Sequence, residues 1–218
     1  MKTALYADFL CIRQLSKTHI GLLLFFTLFA TVTQSPSFLS LALVMICAML
    51  PINLLSYDKS YRWDKQALLL PIPRWALVAS KYLATLLVLG VVLVSMLGAA
   101  GIYCMFSPQD TFPELGLPLV LCAAVTLLLL SIYLPILYRF GVEKGRYVIL
   151  LLVWIPILFG FLLERAGTEN PFAAFATTLD HLPMSMFYGF AIALMLFALM
   201  LFTVSARVSI SIFRKKEF

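Results

Sequence analysis

The sequence predicts an all-α integral membrane protein in which six transmembrane helices form a single domain over residues 1–218. Of its 218 residues, 63% are hydrophobic and 12% are charged, and the mean hydropathy is +1.02. A soluble domain carries about 25% charged residues. A helical span needs about 20 apolar residues to cross about 30 Å of hydrocarbon, so this chain accommodates about six spans with short connections and no separate soluble domain.

Six apolar segments account for the predicted spans. They cover residues of about 20–34, 37–56, 79–106, 115–138, 147–163 and 184–208. The first is short, and "TQSPS" (33–37) separates it from the second, with Pro36 supplying a turn. The first two segments therefore predict a tight helical hairpin, and a single re-entrant hairpin is the alternative.

Residues 1–19 are too polar to span a membrane. Leu5, Phe9 and Ile12 share one helical face, whereas Arg13 and Lys17 share another. This pattern predicts an interfacial helix on the inner leaflet. A plain basic lead-in to the first span is the alternative.

Basic residues are concentrated in alternate connections. Fifteen of the 16 Lys and Arg fall in the N-terminal segment, the second connection, the fourth connection and the C-terminal tail, and Arg165 alone falls elsewhere. Cytoplasmic segments of membrane proteins carry such an excess of Lys and Arg. The pattern therefore predicts that both termini are cytoplasmic, and it explains the net charge of +6 by topology, without nucleic-acid binding.

Several kinds of chemistry lack a motif in this sequence. It contains no GxxxxGK[ST], HExxH or GxSxG pattern. Its two histidines, His19 and His181, are predicted near opposite membrane faces, and its four cysteines are scattered without a CxxC pair. The predicted spans contain almost no ionisable side chain, which argues against an ion-coupled transporter or a membrane enzyme. A channel, a scaffold or a transporter driven by another subunit remains.

The second connection is the longest and most charged cytoplasmic segment, "SYDKSYRWDKQALLLPIPRWALVASKY" (56–82). Residues 58–70 predict a short amphipathic helix, and Pro71 ends it because the residue before proline disfavours helical geometry. Pro73 is suited to the start of the next helix, where its missing N–H costs nothing. Lys81 is expected to extend toward the lipid headgroups.

This order of elements has a mechanical consequence. A short helix, a stiff proline corner and a long helix that enters the membrane would pass a push on the short helix to the third span. An ordinary anchored loop is the alternative.

The same segment resembles the signature stretch of small ABC-2-type transporter permeases, in the branch of peptide and antibiotic exporters. The resemblance rests on Asp58, Trp63, "LLLPIPR" (68–74) and "VASKY" (78–82), and the six-span plan and the length agree with it. The short first span departs from the family pattern.

The resemblance implies a multi-pass subunit of a bacterial cell membrane that pairs with a separate ATP-binding subunit and with a second permease chain, identical or related. ATP and Mg²⁺ would bind the partner, so this chain would hold no cofactor or metal and would not itself be an enzyme. The segment 56–82 would carry a coupling helix. The implied docking residues are Asp58, Arg62, Trp63 and Asp64, and the implied corner residues are Pro71, Pro73, Arg74 and Lys81.

The apolar spans suit an apolar or amphipathic substrate, with antimicrobial or cytolytic peptides as one class. Candidate path residues are Asn53, Phe25, Phe29 and Met49. Lipid contact or helix packing is the alternative role of the apolar ones, and an interhelical hydrogen bond is the alternative for Asn53. The predicted function is export as a permease subunit. The alternative is a non-transporting scaffold or immunity protein that binds a peptide or a partner.

Overall fold

The computed structural model describes residues 2–33, 37–61, 73–106, 112–165 and 184–215. These residues are helical almost throughout and include no strand, so the predicted all-α class is confirmed for them. The helices are α1 (Lys2–Thr33), α2 (Ser37–Ser60), α3 (Arg74–Phe106), a helical run from Phe112 to Arg165, and α6 (Met184–Arg214).

Gly141 divides the run Phe112–Arg165 into α4 (112–140) and α5 (142–165). Its backbone has φ 82° and ψ 170°, which is not helical. Glycine adopts a positive φ readily because it has no Cβ, whereas other residues are strained there. The break falls between the predicted spans 115–138 and 147–163, so the turn between these two segments is built on this glycine.

Four helices are long and apolar enough to cross a membrane among the described residues. They are Phe38–Ser60, Trp75–Met105, Glu114–Gly145 and Met186–Arg214, and Lys17–Thr33 is a shorter apolar helix. The second, third, fourth and sixth predicted spans are therefore supported. Spans at 20–34 and 147–163 stay predictions.

Helix α1 is continuous where the sequence analysis placed two elements. Its 32 residues extend over about 48 Å at 1.5 Å per residue. Residues 16–19, Ser-Lys-Thr-His, contain neither glycine nor proline, so no residue there ends the helix. Residues 2–19 and the first predicted span share one helix, and the interfacial position of residues 1–19 stays a prediction.

The core is formed mainly by α2, α3 and α4, with α6 packed against them. Large side chains that are at most 2% exposed include Leu43, Met96, Leu127 and Leu134. On α6, Phe202 joins this core, whereas many other apolar side chains of that helix are exposed. An exposed apolar face on a long helix is what contact with lipid requires.

Candidate functional site

The third helix begins where the sequence analysis placed the proline corner. Arg74 is its first residue, and Pro73 precedes it with an exposed side chain. The backbone N–H of Ala76 donates to the Pro73 carbonyl at 2.9 Å. Ala76, Leu77 and Val78 are then buried, so the corner leads directly into the core of the bundle.

Lys81, two turns into α3, forms a buried ion triad with Asp8 of α1 and Asp58 of α2. The Lys81 Nζ donates to Asp8 Oδ1, and it lies 2.9 Å from Asp58 Oδ1 and 2.8 Å from Asp58 Oδ2. Whole-residue exposure is 3% for Asp8, 7% for Asp58 and 5% for Lys81. A charge buried to this degree is tolerated only when it is paired and hydrogen-bonded. The triad therefore fixes the inner ends of α1, α2 and α3 relative to one another.

Asp8 is incompletely satisfied in this arrangement. Its second oxygen, Oδ2, is buried and has no hydrogen-bond partner among the described residues. One turn along α1, burial raises the pKa of the half-buried Cys11 thiol, while the positive charge of Lys81 opposes that rise. Cys11 therefore stays in its poorly nucleophilic thiol form at neutral pH.

Tyr82, the next residue of α3, connects another face of the helix to α6. Its hydroxyl oxygen lies 2.9 Å from Ser205 Oγ and 2.6 Å from Ser209 Oγ. Ser205 Oγ donates to the Ser131 carbonyl of α4 at 2.5 Å. Since a hydroxyl has one proton, Tyr82 donates to Ser205 and accepts from Ser209. The Tyr82 ring also packs on Phe202, with ring centroids 4.9 Å apart.

Two consecutive side chains thus join α3 to four other helices. Residues i and i+1 of a helix point about 100° apart, which lets Lys81 face α1 and α2 while Tyr82 faces α6 and, through Ser205, α4. We call these two residues and their partners the α3 junction. A displacement of the start of α3 must either move these helices or break these bonds.

A polar cavity of about 300 Å³ lies beside the junction, between the end of α2, the start of α3, the Gly141 turn and α6. Its lining includes Asp58, Lys81 and Phe213. At its rim, Lys59 Nζ lies 2.5 Å from Glu143 Oε1 and joins α2 to α5. Both side chains are largely exposed, at 64% and 82%, so this ion pair contributes about 0–1 kcal/mol.

Helix α2 ends at Ser60 and α3 begins at Arg74. The cavity lies beside both of these helix ends, and both belong to the predicted coupling segment. Arg62, Trp63, Asp64 and Pro71 lie outside the described residues. Their docking and corner roles stay predictions.

The structure changes the interpretation of two predicted residues. Asp58 lies in the last turns of α2, which continues to Ser60, and it is buried against Lys81. A separate helix therefore does not begin at Asp58. Lys81 extends into the protein, not toward the headgroups as expected, because two carboxylates lie within its reach there.

The candidate path residues are not brought together. Phe25, Phe29 and Met49 are 60%, 39% and 50% exposed, and Asn53 is half-buried. None of the four lines the 300 Å³ cavity. Phe25 and Phe29 instead stack along α1 with centroids 5.9 Å apart. Their role in a substrate path stays a prediction.

Sequence reasoning missed Asp8, although a signal was present. It is the sole acidic residue among the first 57, in a segment otherwise interpreted as basic and apolar. This isolation marks Asp8 as unusual, but it does not show that the partner is Lys81, two helices later on α3. Within the described ranges, no three His, Cys, Asp or Glu side chains could hold a metal ion. Asp8, Asp58 and the Cys11 thiol lie around the Lys81 ammonium instead.

Comparison with known proteins gives one match. A family profile described as "ABC-2 family transporter protein" matches residues 5–214, nearly the whole chain. No curated protein and no solved structure matches the chain significantly. Because the match covers nearly the whole chain, this chain belongs to the ABC-2 family of transporter proteins.

Proposed function

We propose that the protein is the transmembrane subunit of an exporter and that its ATP-binding partner drives it through the start of α3. Family membership supports a permease role in an ABC transporter and implies a separate ATP-binding subunit. The observation that carries the finer proposal is the α3 junction. The segment between Ser60 and Pro73 leads directly into the one helix that is bonded through Lys81 and Tyr82 to α1, α2 and α6.

The roles within this segment divide by burial. Asp58 and Lys81 are buried and paired, so we assign them to positioning α3 and not to contact with a partner. Arg62, Trp63 and Asp64 are assigned to docking on the ATP-binding subunit. Pro71, Pro73 and Arg74 are assigned to the corner that transmits the movement.

The proposed orientation places both termini in the cytoplasm of a bacterial cell, with the protein in the plasma membrane. Support comes from the distribution of Lys and Arg. Under this orientation the triad, the polar cavity and the segment 61–73 all lie at the cytoplasmic end of the bundle, where an ATP-binding subunit works.

The proposed substrate is apolar or amphipathic, and peptides are one class of candidate. Away from the triad, no Asp, Glu, Lys, Arg or His side chain is buried in the four long apolar helices, within the described ranges. A charged or strongly polar substrate would need such groups. A second permease chain, identical or related, completes the proposed unit.

Co-purification tests the docking assignment. The tagged chain is extracted from its native membrane in mild detergent, and retained ATP-binding subunit is quantified for Trp63→Ala and for Tyr188→Ala. Tyr188 is a matched aromatic control, 45% exposed near the start of α6 at the other end of the bundle. We expect Trp63→Ala to lose the subunit and Tyr188→Ala to keep it. Equal retention of the subunit by both variants would refute docking through Trp63. If wild type also retains no ATP-binding subunit, the scaffold alternative is favoured.

A further inference from the structure

A groove of about 520 Å³ lies between α1, α2 and α3, apart from the polar cavity. Its lining runs from Phe9 to Leu23 on α1, includes Leu50 on α2, and runs from Ala84 to Ser95 on α3. Eleven of the thirteen lining side chains are hydrocarbon. The hydroxyl of Ser95 donates to the Val92 carbonyl of its own helix at 2.8 Å, so this donor is already satisfied without an occupant of the groove.

This lining selects the chemistry of an occupant. A peptide placed in the groove in an extended form would leave backbone N–H and C=O groups without partners, at a cost that a membrane setting makes severe. His19 is the titratable side chain of the lining; it is half-buried and already engaged within the chain. An unbranched hydrocarbon chain needs no hydrogen bond and suits the site.

The length and level of the groove agree with one leaflet of a bilayer. From Ala84 to Ser95 the α3 wall rises about 16 Å at 1.5 Å per residue, close to half of a hydrocarbon core of about 30 Å. The groove begins at the end of the bundle that carries the triad, since Phe9 follows Asp8 and Ala84 lies one turn beyond Lys81. In the proposed orientation this is the inner leaflet.

Two cations lie along the α1 edge of the groove. Arg13 follows the lining residue Phe9 by four positions, and Lys17 precedes Ile20 by three, which puts both on the neighbouring stripe of the helix. Both side chains are exposed. Lys17 also begins the apolar stretch Lys17–Thr33, so both cations lie at or before the start of that stretch. Basic side chains next to a membrane surface attract anionic lipids.

We propose that this groove binds an anionic phospholipid of the inner leaflet, with an acyl chain between α1, α2 and α3 and its phosphate beside Arg13 and Lys17. The bound chain covers Ile12 where it packs against the buried cluster of Leu50, Leu54 and Ala84, next to the triad. The lipid therefore holds α1 against α2 and α3. Only the leaflet rests on the proposed orientation, and the site needs no ATP-binding subunit.

Filling the groove tests the acyl-chain part of the site. Val91 lines the groove and is 68% exposed, whereas Val94 lies outside it and is 70% exposed. Val91→Trp and Val94→Trp are purified from nanodiscs of equimolar phosphatidylglycerol and phosphatidylcholine, and retained lipid is counted by native mass spectrometry. We expect one retained phosphatidylglycerol in wild type and Val94→Trp, and at least a several-fold loss in Val91→Trp.

Removing a cation tests the headgroup part. Lys17→Gln should lower the preference for phosphatidylglycerol over phosphatidylcholine at least twofold, whereas Lys144→Gln, an exposed lysine at the other cavity, should not change it. Equal retention by the two tryptophan variants overturns the proposal. So does a lipid ratio in wild type equal to that of the nanodisc, or a wild-type protein that retains no lipid. Helical content by circular dichroism and a single elution peak establish that each variant is folded.

Discussion

Replacing Lys81 with methionine is the sharpest perturbation of the triad. Methionine keeps most of the side-chain volume but leaves Asp8 and Asp58 buried without their shared cation. Removing one partner of a buried ion pair costs about 3–5 kcal/mol, because a charge is left uncompensated. A chain of this size shifts its Tm by about 2–4 °C per kcal/mol, so Lys81→Met should lower the Tm by roughly 6–20 °C.

The control is Lys59→Met, an identical substitution that removes the exposed pair with Glu143. Since exposed pairs contribute about 0–1 kcal/mol, its Tm should fall by less than about 4 °C. Both variants are measured in one detergent by intrinsic tryptophan fluorescence. A Tm for Lys81→Met as close to wild type as that of Lys59→Met would refute the argument that the triad is buried and paired.

A second property of the same variant follows from its two carboxylates. In Lys81→Met, Asp8 and Asp58 repel each other when both are ionised. Protonation of one of them removes that repulsion, so the folded variant binds protons more readily than its unfolded chain does. Its Tm relative to wild type should therefore recover as the pH is lowered, and a deficit independent of pH between pH 4 and pH 8 would contradict this.

The remaining predictions concern the junction, the turn and the thiol. Tyr82→Phe should cost about 1 kcal/mol, from the loss of interhelical hydrogen bonds, and a Tm equal to wild type would contradict those bonds. Gly141→Ala should cost about 1–3 kcal/mol of folding stability because of its positive φ. At Gly90 an added Cβ meets nothing within 4 Å, so Gly90→Ala should stabilise the helix by up to about 1 kcal/mol. The Tm values of the two variants should therefore move in opposite directions from wild type. With the other cysteines replaced by alanine, alkylation of Cys11 should keep accelerating above pH 9, since burial raises its pKa from 9.0, and a rate that levels off below pH 9 would contradict this.

The sequence predicted the helical class and much of the boundary pattern for a physical reason. Long apolar stretches can satisfy their backbone in lipid only as helices, and the described part of the chain contains four such helices. The helix start at Arg74 followed from the chemistry of Pro73. The join between residues 2–19 and the first predicted span was missed, because the change from polar to apolar composition was interpreted as a boundary although residues 16–19 contain no helix breaker.

The candidate site was only partly predictable. Lys81 was singled out for its place in "VASKY", but its direction depends on Asp8 and Asp58, which are 73 and 23 residues away in sequence. The same holds for Tyr82, whose serine partners are 123 and 127 residues away. A single sequence carries no signal for pairings at such separations, whereas local periodicity and turn residues are visible in it.

If ATP acts through the start of α3, α1 should move together with it, because the Lys81 triad of the α3 junction joins the two helices. Spin labels at the exposed positions of Tyr6 and Trp75 measure the distance between these helices in the complex with its ATP-binding subunit, without nucleotide and with ATP. A third label on the bound subunit, paired with the one at Trp75, reports that ATP has acted. We expect one narrow distance distribution between Tyr6 and Trp75 in both states for wild type, and a broader one that shifts with ATP for Lys81→Met. A wild-type distance that changes by more than a few ångströms on ATP binding, or a variant distribution as narrow as that of wild type, would contradict it.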